Sequence, residues 1–272
     1  MLISALLFHV LVATATLAVS TSGNEDASLV AGTDVSQPVQ VVHPSASAGT
    51  TISEPVPDAS SFNWAGSILT VDAATNVSSV TGTFTVPTPS IPPGGNSSGI
   101  YLSSAWVGID GYTCETALLR TGVLFALVDG FVTSSAFYEW YPNVREYFGD
   151  ISVAPGDEVT ASVYALTSTS GEASIVNHST GERTSVRLGG PDFVPLCRKN
   201  LDWIVGDPSQ PNGPGIPSPL PDFGTVHFSD ATGYVFGNPN AGQTVLNIVR
   251  NGTTFTTVSL GYETVVVEYI RE

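Results

Sequence analysis

From Phe62 onward the chain is a succession of short runs rich in Val, Thr, Ile, Tyr and Phe, broken by Gly, Pro, Asn or Asp. The breaks recur roughly every ten residues, the spacing of short strands joined by turns. NWAGSILTV, SSVTGTFTVP, EASIVNHSTGERTSVRL, LDWIVGD, FGTVHFSDA and TTVSLGYETVVVEYI are all of this kind. β-Branched and aromatic residues suit a pleated, half-buried surface, and no segment carries a convincing helical period. Many short strands of this kind bury their apolar faces by packing one sheet on another. The expected fold is therefore all-β, an antiparallel two-sheet β-sandwich, built as one domain over 62–272.

The stretch from Ser103 to Pro142 supplies the chemistry. It reads as three neighbouring strands, SSAWVGIDG, TCETALLRTGVLF and AFYEWYP. Successive strand side chains alternate between faces. Val107 and Ile109 then share one face of the first strand, and Trp106, Gly108 and Asp110 the other. In the second, Leu119, Val123, Phe125 and Leu127 form an apolar face opposite Arg120 and Gly122. In the third, Glu139 lies between Phe137 and Tyr141. One pleated surface thus gathers Trp106, Asp110, Arg120 and Glu139 between aromatic walls.

Charge narrows the partners. Eight Lys and Arg stand against 24 Asp and Glu, a formal net charge of −16. Lys199 is the only lysine, and Arg120 is the first Lys or Arg in the chain. No nucleic-acid partner is expected, because there is no basic patch to displace counterions from phosphates. In acid the carboxylates neutralise, and the few Lys, Arg and His limit self-repulsion, so an acid-tolerant protein is expected.

Residues 2–19 are almost wholly apolar and end in Ala18, Val19 and Ser20, the pattern of a signal peptide over 1–20, with an uncleaved anchor as the alternative. After signal cleavage no stable membrane association is expected, and secretion of a monomer is. Asn76, Asn96, Asn177 and Asn251 each open an Asn-x-Ser/Thr sequon and are candidate glycosylation sites. Residues 21–61 are Ser-, Thr-, Pro- and Val-rich with no strand or helix period, a disordered linker or a removable propeptide. The Pro-rich stretch 208–221 reads as a long surface loop. Cys114 and Cys197 are the only cysteines; in an oxidising compartment they pair, the alternative being two buried thiols.

Familiar constellations are missing. His9 falls in the presumed signal and His43 in the linker, leaving His178 and His227, too few for a zinc site or an ordinary triad. No phosphate-binding or dinucleotide fingerprint occurs. No cofactor or metal is expected, and a carboxylate mechanism is the economical choice.

NWAGS at 63–67, GTFTVPTPSIPPGG at 82–95, WVGIDG at 106–111, YEWYP at 138–142, DWIVGD at 202–207 and FGTVHF at 223–228 resemble the glutamic peptidases, or eqolisins. The likeness runs in order over nearly all of 62–270. It implies a secreted acid endopeptidase, made with a pro-segment, with two curved antiparallel sheets similar to the legume-lectin jelly roll and a peptide or protein as substrate. The family's catalytic Glu matches Glu139, which takes a proton from the attacking water and returns one to the leaving nitrogen. The resemblance carries Trp106 and Asp110 over as supporting residues. Trp64, Phe137, Tyr138, Trp140 and Tyr141 are candidate cleft walls, with plain packing as the alternative for the large aromatics.

The family's second catalytic residue is a Gln in an LQTG motif. Here the motif reads LRTG and the position is Arg120. An amide both donates to the developing oxyanion and accepts from the water, whereas a guanidinium only donates. Near Glu139 it pairs with the carboxylate and takes the place of the water. Leu124, Gly206 and Asp202 depart from the family pattern as well, standing where Asp, Glu and a longer Glu are usual. Two outcomes stay open: a working peptidase with Arg120 as a substituted polariser, and an impaired member that binds peptides without turnover. A lectin-like binder is a third reading on fold alone. A glycosidase would need a second carboxylate near Glu139, for which Asp110 is the obvious candidate.

Overall fold

Alternating side chains close two sheets on each other in the computed structural model, which describes residues 39–45, 58–190, 192–208, 218–237 and 240–270. These residues all belong to one unit, Gln37–Glu272. The strands are β1 (Val39–Val42), β2 (Asp58–Ser61), β3 (Trp64–Val71), β4 (Asn76–Thr85), β5 (Ile100–Asp110) and β6 (Leu118–Val128). They continue with β7 (Phe131–Tyr141), β8 (Glu146–Tyr147), β9 (Glu158–Ala165), β10 (Ser170–Asn177), β11 (Arg183–Gly189) and β12 (Asn200–Gly206). The last are β13 (Thr225–Phe236), β14 (Ala241–Arg250), β15 (Thr253–Thr254), β16 (Thr256–Gly261) and β17 (Thr264–Tyr269). The expected all-β sandwich is the fold observed.

One sheet runs β11-β10-β9-β4-β13-β17-β16, with β1 added along β13; the other runs β15-β14-β3-β12-β5-β6-β7-β8, with β2 added along β14. Among the described residues, all strand pairings are antiparallel except β2 with β14. Between the sheets lies a core that takes Val107 and Ile109 from β5, Leu119, Val123 and Phe125 from β6, and Val80, Phe84, Val163 and Phe228 from the facing sheet. Trp203 of β12 crosses this layer and donates its indole N–H to Thr81 O at 2.7 Å. Gly82 leaves the room, since a Cβ there would lie 3.0 Å from Trp203 Cδ1. Filling that space or emptying it harms packing alike, and Trp203→Ala is expected to cost about 3–5 kcal/mol in a denaturant titration.

The stretch 21–61, expected as a disordered linker or a propeptide, contains β1 and β2. Each joins a sheet through backbone hydrogen bonds, which need no side-chain period, so composition did not reveal them. The expected signal segment lies outside the described residues, as does 209–217 of the Pro-rich loop.

The expected disulfide is present: Cys114 and Cys197 are bonded, with 83 residues of sequence separation. It ties the turn after β5 to the approach to β12, the strand that inserts between β3 and β5. Closing a loop of this size restricts the unfolded chain. Reduction is expected to lower the free energy of unfolding by roughly 4–5 kcal/mol in a denaturant titration with and without reductant. The two sulfurs and an Asp110 oxygen lie within 4.8 Å of one another, but the sulfurs are bonded to each other and offer no thiolate ligands.

Of the four sequons, Asn177 is a correction. It is fully buried, and its Nδ2, the atom a glycan would use, donates to Ser152 O at 2.9 Å and Asp157 Oδ2 at 2.8 Å. Asn76, Asn96 and Asn251 are exposed.

Candidate active site

The second sheet turns its other face away from the core, and that face carries a separate cluster of Trp64, Ile68, Trp106, Leu118, Phe137, Ile204 and Leu246. Strand parity separates these residues from their neighbours in the core. Register then sets a row across the sheet: Ile68 opposite Asp202, Asp202 opposite Gly108, Gly108 opposite Arg120, and Arg120 opposite Glu139. Hairpin connections make β5, β6 and β7 adjacent. The return of β12 between β3 and β5 adds Asp202 to them.

Arg120 and Glu139 meet, as expected. Both side chains are fully buried, and Arg120 Nη2 and Nε donate to Glu139 Oε2 at 2.8 and 3.2 Å. The fork closes on one carboxylate oxygen. A second arginine reaches that same atom: Arg145 Nε donates to Oε2 at 3.2 Å, and its Nη2 lies 3.1 Å away. Arg145 Nη2 also donates to Pro208 O. A carboxylate oxygen has two lone pairs, so Oε2 is filled by these donors.

Aromatic faces hold the cations. Arg120 Cζ lies 5.0 Å from the Trp106 ring centroid and 5.9 Å from that of Phe137, while Arg145 Cζ lies 4.7 Å from Phe137. Such contacts favour a guanidinium in a desolvated place. Burial pulls the Arg120 pKa down, opposed by the Glu139 charge. Arginine is a strong enough base to stay protonated under these conditions. Gly122 keeps Trp106 in position, because a Cβ there would lie 2.6 Å from Trp106 Cα.

Several expected site residues stand elsewhere. Asp110 has a positive φ of 72° and turns its carboxylate to the backbone N–H groups of Arg198, Lys199 and Asn200, at 2.8, 2.7 and 3.3 Å. It anchors the segment after the disulfide, and its carboxyl is taken up by those amides. Burial raises its pKa and these bonds lower it. Tyr138 and Trp140 alternate with Glu139 and face the other way. Trp140 sits in the core and donates to Val194 O at 2.9 Å, and Tyr138 packs on the core with its hydroxyl 2.8 Å from Glu146 Oε2. Phe137, Trp106 and Trp64 lie on the site face, and the half-buried Tyr141 packs against their cluster.

Asp202 shares the row. It is fully buried, and both of its oxygens lack a hydrogen-bond partner among the described residues. Burial raises its pKa well above the usual Asp value; the neighbouring Asp110 charge adds to this and Arg120 opposes it. Arg145 and the Asp202–Arg120 proximity are the site features that sequence reasoning missed. Arg145 follows Glu139 by six positions in a chain with eight Lys and Arg, so its rarity was the available signal.

Residues 62–269 match the Peptidase A4 family. Aspergillopepsin-2 of Aspergillus niger is 38% identical over 228 residues, covering 77% of this chain and 78% of its own length. Scytalidopepsin B of Scytalidium lignicola is 37% identical over 174 residues, 62% of each chain. Among solved structures, scytalido-glutamic peptidase with a transition state analog inhibitor superposes with a TM-score of 0.64 at 33% identity, over 76% of this chain and 98% of the other. Aspergilloglutamic peptidase from Aspergillus niger gives 0.55 at 36% identity, over 62% and 99%.

Proposed function

The chain belongs to the Peptidase A4 family, the glutamic-type endopeptidases, and from that premise we propose that it is a secreted member that binds extended peptides on the outer face of its second sheet while turning them over poorly. One observation carries the reading: Glu139 Oε2 is held by Arg120 and Arg145 together. A general base must offer a lone pair to the attacking water and later donate that proton to the leaving nitrogen. An oxygen saturated by guanidinium N–H groups offers none, which confines that role to Glu139 Oε1 and slows turnover. Glu139 serves here as the counter-ion of two arginines.

Arg120 stands where the family has a Gln, and a guanidinium cannot accept a hydrogen bond from water. A second reading rests on Arg120 Nη1, which is buried and has no hydrogen-bond partner among the described residues. Such a donor stabilises an oxyanion if a substrate carbonyl reaches it, and a slow peptidase results.

Binding and turnover are separable. A labelled extended peptide at acid pH is expected to bind the mature chain, read by fluorescence anisotropy, without product appearing by mass spectrometry. Cleavage by the unmodified chain that Glu139→Gln abolishes would instead establish the working-peptidase reading.

A further inference from the structure

Six buried side-chain nitrogen and oxygen atoms lack a hydrogen-bond partner among the described residues, and five belong to this one face: Trp64 Nε1, Trp106 Nε1, Arg120 Nη1 and both oxygens of Asp202. Buried polar groups are nearly always paired, so unpaired ones gathered in one place call for a cause. These adjoin. The Trp64 and Trp106 rings meet edge to face with centroids 5.0 Å apart, and Arg120 Cζ lies 5.0 Å from the Trp106 centroid. A Cβ at Gly108 would lie 2.8 Å from Trp106 Cζ3 and 3.3 Å from Asp202 Oδ2, so the absent side chain brings Asp202 against the indole.

Donors dominate the patch. Two indole N–H groups and the Nη1 hydrogens of Arg120 face a single carboxyl group. Charge points the same way. Arg120 and Arg145 share one carboxylate, Glu139. Burial disfavours the ionised form of Asp202, so two guanidiniums stand beside one paired carboxylate, within a chain of net charge −16. An acceptor-rich ligand with one negative charge satisfies both the donors and the charge. A shallow depression of about 240 Å³, lined by Trp64, Gly111, Tyr112, Glu115 and Leu246, borders the patch at Trp64.

We propose that Trp64, Trp106, Arg120 and Asp202 form a subsite for a carboxylate carried by a peptide ligand. The inference rests on the peptide-binding reading above and adds the group recognised. Arg120 Nη1 and the indoles donate to the carboxylate. Asp202, whose burial favours the protonated acid, supplies an O–H donor of its own. The ligand carboxylate is a free C-terminus or an acidic side chain.

Three peptides of one neutral sequence separate the possibilities at about pH 5, where C-terminal and Asp carboxylates are ionised. One has a free C-terminus, one is amidated, and one is amidated with an internal Asp. The free acid or the internal-Asp peptide is expected to bind the wild-type chain at least about ten-fold tighter than the neutral amide, the scale of one charge-assisted hydrogen bond. Whichever is tighter identifies the carboxylate's source. Arg120→Gln is expected to bring all three within about two-fold, and Trp106→Phe, which keeps an aromatic face but removes the N–H with the five-membered ring, to weaken the carboxylate-bearing peptide more than the neutral amide. Equal binding of all three peptides to the wild type overturns the subsite and leaves the groove. No binding by any of them overturns the groove as well.

Discussion

Glu139→Gln is expected to lower the free energy of unfolding by about 3–5 kcal/mol, the cost of leaving a buried charge without its partner. Arg120 is wholly buried, and Glu139 is its hydrogen-bonded counter-ion. Removing the carboxylate's charge leaves two guanidiniums close together, both near the Phe137 ring. Pairing that change with Arg120→Gln removes the uncompensated cation, so the double variant recovers most of the loss. A coupling of about 2 kcal/mol or more in the double-mutant cycle is expected, within the range of contacting residues. A Glu whose main role is proton transfer would show little destabilisation in Glu139→Gln and little coupling. Urea titration of the four proteins measures both quantities.

The second large effect concerns pH. Asp202 is buried, and its pKa is raised well above 3.8 by desolvation and by Asp110, with Arg120 opposing. Asp110 is raised as well, for the same first cause. When the folded-state value lies above the unfolded one, the unfolded chain releases its proton first as pH rises. The stability these groups contribute is then fully present below the ordinary Asp value. It declines as pH climbs from there through their raised folded-state values. The melting temperature is therefore expected to be higher near pH 3–4 than at pH 7, in keeping with the shortage of Lys, Arg and His that limits repulsion in acid. Asp202→Asn removes the ionisation. It is expected to raise the melting temperature at pH 7 more than at pH 3.5 and so flatten the profile. A variant that shifts both pH values equally would assign Asp202 no titrating role.

How far the sequence carried these conclusions depended on the distance between partners along the chain. Sequential hairpins made β5, β6 and β7 neighbours, and alternation placed Arg120 and Glu139 on one face, so their contact was legible. The same alternation excluded Tyr138 and Trp140 from that face, and turned Asn177 inward beside Ala173 and Ile175. Aromatic residues in a motif and a sequon invite functional readings, and parity is the stronger constraint. Other contacts were hidden because they depend on long-range register. Nothing local shows that β12 inserts between β3 and β5, which sets Asp202 over Gly108 and beside Arg120. Asp110 kept its motif, yet its positive φ and the amides of residues 198–200 redirect the carboxylate. Arg145 reaches Glu139 from beyond the end of β7, where strand parity no longer applies.

The central claim is that Arg120 holds Glu139 out of its catalytic role, and the most direct test is peptide hydrolysis by the unmodified chain and Arg120→Gln at one acid pH. Gln supplies a group that can donate to an oxyanion and accept from water. It also removes two of the hydrogen bonds on Glu139 Oε2. The variant is expected to cleave at least about 100-fold faster, the scale of one general acid/base or oxyanion contribution. An unmodified chain that cleaves as fast as Arg120→Gln, with the activity lost in Glu139→Gln, would contradict the account.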